Sequence, residues 1–278
     1  MTAALEHKTS RIISSLIRIY TVILTCAIII VFFQVSCAAE YNLATKQQER
    51  LFYSSAREVN LGRSIAQQIE HNYKVCKDQK LQERISKIGQ RLVSVCERKD
   101  ISYFFTVLDN QRFNAFALPG GYVYIDKGLI EKTDCDDEIA AILAHEIGHI
   151  VARHSIKRLQ AALGYNLLSV LAVAAVKDPR FKSGADAAFS QIMLGYARED
   201  EMLADCLAVK YLKEAGYNPE AVVTLLEKLK QLDKQAPLRP LIFRYARTHP
   251  YLSERISAAK QELYGKIDFN DYLNRGDY

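Results

Sequence analysis

The sequence predicts a mainly helical α+β fold with a small three-stranded sheet just before a proline-free helix. Three observations carry this. Amphipathic helical runs recur along most of the chain. Between Tyr103 and Ile125 lie three short segments rich in aromatic and β-branched residues, separated by turn residues. From Asp136 onward, helix-forming residues with acids in the first turn continue to His149. With 278 residues and 49% hydrophobic content, the chain is long enough for one sizeable core.

In chain order, residues 1–37 read as a targeting segment outside the fold, and residues 38–278 as a single domain. Lys8, Arg11 and Arg18 precede an apolar run from Ile19 to Val35, which ends at Ser36-Cys37-Ala38-Ala39. Positive charge on the N-terminal side keeps that end in the cytoplasm and sends the remainder across. Three outcomes stay open: lipidation at Cys37 after cleavage just before it, an uncleaved membrane anchor, or cleavage after Ala38 or Ala39. Gln34 stands where a lipoprotein signal ordinarily carries leucine.

Lys46 to about Tyr73 reads as one amphipathic helix and Lys80 to Val95 as a second. Tyr103–Leu108, Phe113–Leu118 and Tyr122–Ile125 are the strands, the last two joined by a Pro-Gly-Gly turn. A short helix follows from Lys127, then the helix opening at Asp136. The stretch from Ser155 to Ala197 is long for a connection and unusually apolar from Ala161 to Val176. It is short for a bilayer span and reads as a buried or lid-like helical hairpin broken near Pro179 and Gly184, a membrane-dipping one being the alternative. Further helices run from Ala221 to about Leu232 and from near Ser253.

The chemistry concentrates in His145-Glu146-Ile147-Gly148-His149. On a helix the two imidazoles lie about 40° apart, one turn above the other, where both can hold one Zn²⁺. Glu146 sits beside them, placed to take a proton from water. Gly148 lets another element approach closely. The competing reading is a solvated pair of helical histidines. A catalytic zinc site needs a third protein ligand, and Glu201 is the candidate. Asp205, four residues on, shares its helix face and suits the outer shell, accepting the free ring N–H of a ligating histidine. Arg198, at i−3, is expected on that face too, holding the carboxylates. Glu199 and Asp200 point away as solvent charges, and His154, about 180° round the helix from His145, should face away from the metal. The plain alternative is an acidic, solvated face.

Together with Asn114-Ala115-Phe116-Ala117-Leu118-Pro119-Gly120-Gly121 and Thr248-His249-Pro250, these motifs resemble the HtpX and CAAX prenyl endopeptidase metallopeptidases, metallopeptidase family 48. The likeness runs from about Phe52 to Ile256 and is nearest to the family's soluble-domain, periplasmic quality-control lipoproteins. It implies a gluzincin-type zinc protease domain with one Zn²⁺ per chain on His145, His149 and Glu201. It places His249 near the metal, donating to an oxyanion or capping the zinc at rest; otherwise His249 is a turn residue. It puts Asn114 and Ala115 at an exposed sheet edge, where with Phe116 they would accept an extended substrate as an added strand. The plain alternative is a structural hairpin.

The partners implied are protein or peptide substrates and a membrane reached through an N-terminal lipid or anchor, on the extracytoplasmic, periplasmic side. A net charge of +5 without a basic tract makes nucleic acid an unfavoured partner. The multi-spanning topology of the prenyl endopeptidases is absent, which argues against prenyl-peptide processing. Cysteine usage gives no disulfide framework: no Cys-x-x-Cys pair exists, and Cys76 and Cys96 flank a helix. The function expected is hydrolysis of unfolded or misassembled envelope proteins by a Glu146-activated water. The alternative is a latent protease acting as a chaperone-like binding or assembly factor.

Overall fold

The computed structural model describes residues 13, 15–26, 38–51, 53–162, 189–234 and 248–265. Cys37 and most of the apolar insert, with Pro179 and Gly184, lie outside the described residues. Two strands, β1 (Ala38–Asn42) and β2 (Gln47–Leu51), form an antiparallel hairpin. Helices α1 (Ser55–Asn72) and α2 (Gln79–Val93) follow, then β3 (Phe104–Leu108), β4 (Ala115–Leu118) and β5 (Tyr122–Asp126). The remainder is helical: α3 (Lys127–Ile130), α4 (Asp136–Val151), α5 (Arg198–Glu214), α6 (Ala221–Lys234) and α7 (Leu252–Tyr264). The mainly helical fold with a small three-stranded sheet is thus as the sequence predicts.

The first helix is shorter than its periodicity suggests. Lys46 takes a left-handed φ of 55°, and Gln47–Leu51 pairs as a strand with Ala38–Asn42. Strand pairing overrides the helical propensity of this short polar segment. The helix starts after Ser54, whose side chain accepts from the Arg57 N–H. Asn42 ties the hairpin down: its amide donates to the Ala152 carbonyl at 3.1 Å, just past the end of α4.

The sheet runs β3-β5-β4, with β3 parallel and β4 antiparallel to β5. Gly120 and Gly121 turn β4 into β5 with φ of 76° and 97°, a region side-chain-bearing residues rarely enter. Helix α4 is the centre of the molecule. Every residue from Glu138 to Val151 is buried, covered by α2, α5, α6 and β4. A helix apolar nearly all round has to be enclosed in this way. At its crossing with α5, Gly148 meets Ala204: a methyl on Gly148 would come within 3.1 Å of the Ala204 Cα and carbonyl oxygen. That absent side chain lets the two helices approach at the level of His145, His149 and Glu201.

Beyond Val151 the chain turns sharply, with Arg153 at a φ of 58°. A buried ionic cluster holds this turn. The Arg98 guanidinium donates to both oxygens of Glu58, at 2.8 and 2.9 Å, and to the Ile150 carbonyl at 2.9 Å. Arg153 Nε donates to Glu58 at 2.9 Å. The Gly120 N–H also reaches Glu58, at 3.2 Å, so one carboxylate joins α1, the β4–β5 turn and the end of α4. Among the described residues no helix is long and apolar enough to cross a membrane. Cys26, Cys76, Cys96, Cys135 and Cys206 are free thiols.

Candidate metal centre and active site

Four buried side chains converge between α4, α5 and the segment before α7: His145, His149, Glu201 and His249, with one ligand atom of each within 4.8 Å of the others. The Nε2 atoms of His145 and His149 are 3.0 Å apart. Glu201 lies 3.5 Å from each, through Oε2 and Oε1 respectively. His249 Nδ1 is 3.2 Å from His145 Nε2 and 3.1 Å from Glu201 Oε1. Ligands about 2.0 Å from a tetrahedral zinc are separated by about 3.3 Å. The observed spacings straddle that value, so the donor set fits one tetrahedral cation.

Electrostatics point the same way. Glu146, Glu201, Asp205 and Arg255 are all buried to 1% exposure or less. Three carboxylates face one guanidinium, and buried charge requires compensation. Against burial and the Arg255 charge, Asp205 and Glu201 raise His145 to about 9, so an imidazolium meets part of the remaining negative charge where a divalent cation would otherwise stand. Glu146 stands beside the cluster with neither oxygen hydrogen-bonded among the described residues, while His249 Nε2 lies 3.4 Å from its Oε1. Burial pushes the Glu146 carboxyl above its ordinary value, against the pull of His249 and His145. Burial likewise pushes His149 well below its ordinary value, the neutral form that ligates metal.

The surrounding groups are only partly those the sequence suggests. Asp205 Oδ1 lies 2.8 Å from His145 Nδ1, leaving the opposite ring nitrogen toward the cluster. Arg198 does not hold the carboxylates: it is exposed, with its guanidinium over the Tyr251 ring. Arg255 of α7 takes that place. It donates twice to Asp205, at 2.7 and 2.8 Å, and pairs with Glu201 Oε2 at 2.8 Å. It also reaches the His249 carbonyl at 3.3 Å, linking the loop to the centre. The signal was present in the sequence: Arg255 interrupts the Leu252–Ile256–Ala259 apolar stripe, where only a paired charge is tolerated.

His154 does not face away. Because α4 ends at Val151 and the chain reverses at Arg153, its Nδ1 comes within 2.7 Å of His149 Nδ1. Asp200 is half-buried beside it and not a solvent charge, with Oδ1 3.2 Å from His154 Nε2. Glu199 is exposed, as expected. Tyr196, which no sequence signal marks, stacks on His149 with ring centroids 3.9 Å apart and pairs with Ser155 at 2.8 Å.

Strand β4 is an edge of the sheet, yet Asn114, Ala115 and Phe116 are buried. The edge is covered where it was expected to be open. The Ala115 carbonyl faces His249 Nε2 and the Ala117 carbonyl faces the Ser155 hydroxyl, both at a long 3.4 Å. Thr248 donates to the Asn114 side chain at 3.2 Å, and Phe116 packs against Phe189.

The model of peptidase family M48 matches residues 79–263, which include all four cluster residues and Glu146. The chain belongs to this family. It is 28% identical over 218 residues to the β-barrel assembly-enhancing protease of Escherichia coli K12, covering 74% of this chain and 44% of that protein. It is 30% identical over 179 residues to the mitochondrial metalloendopeptidase OMA1 of Schizosaccharomyces pombe, covering 64% and 52%. For the Arabidopsis thaliana protein of the same name the identity is 30% over 176 residues, covering 63% and 35%. The chain thus spans about half the length, or less, of these curated relatives.

Removing the Arg255 charge strands Asp205 and Glu201 in the core. Arg255→Met is expected to lower the unfolding free energy of the metal-free protein by about 3–5 kcal/mol. Urea denaturation measures this, and a change within error of zero would show that the pairing carries no stability.

Proposed function

We propose that this chain is a zinc-dependent endopeptidase in which His145, His149 and Glu201 hold the metal and Glu146 is the general base. One observation carries the reading. Three ligand side chains sit at near-tetrahedral spacing, and beside them is the buried Glu146 carboxylate, with neither oxygen hydrogen-bonded among the described residues. Zinc, when bound, supplies a Lewis acid and lowers the pKa of water. Glu146 takes a proton from the attacking water and passes it to the leaving amine. Its raised proton affinity suits both halves of that task. Asp205 and Arg255 keep His145 and Glu201 oriented. The β4 edge receives the peptide as an added strand, its Ala115 and Ala117 carbonyls exchanging weak side-chain contacts for backbone donors.

The described arrangement is a resting one. His249 Nδ1, 3.2 Å from His145 Nε2 and 3.1 Å from Glu201 Oε1, would serve as a fourth ligand, and His249 Nε2 covers the substrate edge at Ala115. This favours a latent enzyme, opened when the Thr248-His249-Pro250 segment withdraws, over a constitutively active one. Unfolded or misassembled envelope proteins are the substrate class, supported by the likeness to a protease named for β-barrel assembly. The chain would act on the extracytoplasmic side, tethered through its N-terminal segment, with Cys37 the lipidation site. The exposed apolar side chains of Leu16, Ile17, Ile19, Val22, Ile23 and Leu24 support membrane contact there. Mass spectrometry of the mature N-terminus decides the tether: acylated Cys37 supports it, and an unmodified start at Ala39 or Glu40 excludes it.

Glu146→Gln is expected to keep one zinc per chain while casein hydrolysis falls by several orders of magnitude. Undiminished hydrolysis would remove Glu146 from the mechanism. His249→Ala separates the two roles of that residue. If His249 caps the centre, hydrolysis rises, by about tenfold for a closed state favoured by about 1.4 kcal/mol. If it serves only the oxyanion, hydrolysis falls by about 10²–10³-fold.

A further inference from the structure

We propose that His154 is a positioning residue of the metal centre: backed by Asp200, it fixes the ring and the tautomer of His149. The inference rests on the metal-centre reading and adds a role the HEIGH motif does not contain. His149 turns Nε2 toward the cluster, 3.0 Å from His145 Nε2. A ring that ligates through Nε2 carries its proton on Nδ1, and that proton needs an acceptor. Among the described residues the ring nitrogen facing it is His154 Nδ1, at 2.7 Å, a separation at which one of the two must donate and the other accept. His154 then carries its own proton on Nε2, and that atom lies 3.2 Å from Asp200 Oδ1. The result is a line of His149, His154 and Asp200 in which each proton has a stated donor and acceptor.

The fold brings this line about at a cost. On a continuous helix His154 would lie on the far side of α4 from His145. The helix ends at Val151 instead, and Arg153 adopts a left-handed φ of 58°, an arrangement that costs a non-glycine residue about 1–2 kcal/mol. The Glu58 carboxylate holds Arg153 there at 2.9 Å, and His154 is 1% exposed. Tyr196 closes the ring face of His149 while His154 closes its edge, so the imidazole is held on two sides. The two histidine ligands are therefore supported differently: His145 by a carboxylate directly, His149 by a carboxylate through a second imidazole.

The test is zinc affinity of the full chain, measured by chelator competition, in wild type, His154→Phe, His154→Asn and Asp200→Asn. Phenylalanine keeps the packing and loses the acceptor; it is expected to weaken zinc binding about 10–100-fold. Asparagine places an amide oxygen close to the position of Nδ1 and is expected to restore most of that affinity. Asp200→Asn, at a half-buried surface site, is expected to give a smaller loss and keeps the question open to measurement if His154→Phe does not fold. Zinc affinity unchanged in His154→Phe, or equally reduced in His154→Phe and His154→Asn, would overturn the inference while leaving the metal centre intact. Wild-type protein that takes up no zinc would overturn both.

Discussion

Three carboxylates enclosed around one guanidinium form the constraint on which the rest of this molecule turns. Glu146, Glu201 and Asp205 sit in a helical core with Arg255 as the cation facing them. Burial of that charge is unfavourable unless every lone pair finds a partner. Arg255 satisfies Asp205 fully and Glu201 in part. What remains is a cluster of lone pairs turned toward one point, the condition under which a protein takes up a divalent cation. The fold pays for this arrangement elsewhere, in the left-handed Arg153 and in the buried Glu58–Arg98–Arg153 cluster that holds it.

Two helices supply the ligands, so their mutual position sets the geometry. Gly148 against Ala204 fixes the distance of closest approach of α4 and α5. The motif glycine is therefore a packing residue as much as a spacer between two histidines. The sheet contributes through its edge: β4 runs past the centre, and His249 touches both the ligand cluster and the Ala115 carbonyl. The same side chain therefore stands against both the cluster and the β4 edge. Under the proposed function, one movement of the segment at Thr248 and His249 would free both.

Much of this was legible in the sequence because it is local. The i, i+4 spacing of His145 and His149, and of Glu201 and Asp205, is fixed by the helix itself. The strands between Phe104 and Asp126 announced themselves through β-branched and aromatic residues between turn signals. What failed was information carried by chain reversals and by contacts between distant segments. A helical wheel extended past Val151 put His154 on the wrong side, because nothing in the local sequence marks the left-handed turn at Arg153. The i−3 spacing puts Arg198 near Glu201 in sequence, whereas the packing of α7 against α5 brings the Arg255 guanidinium to the carboxylates. Gln47–Leu51 looked helical because no glycine or proline in residues 43–46 marks the hairpin that pairs it with Ala38–Asn42.

The most direct test of the central claim is X-ray absorption at the zinc edge on the full chain after zinc loading and removal of excess metal. One zinc per chain in four-coordinate geometry is expected, with nitrogen and oxygen neighbours at about 2.0–2.1 Å and scattering from three imidazoles in the resting state. A sulfur neighbour at about 2.3 Å, or zinc that does not remain bound in a one-to-one ratio, would contradict it.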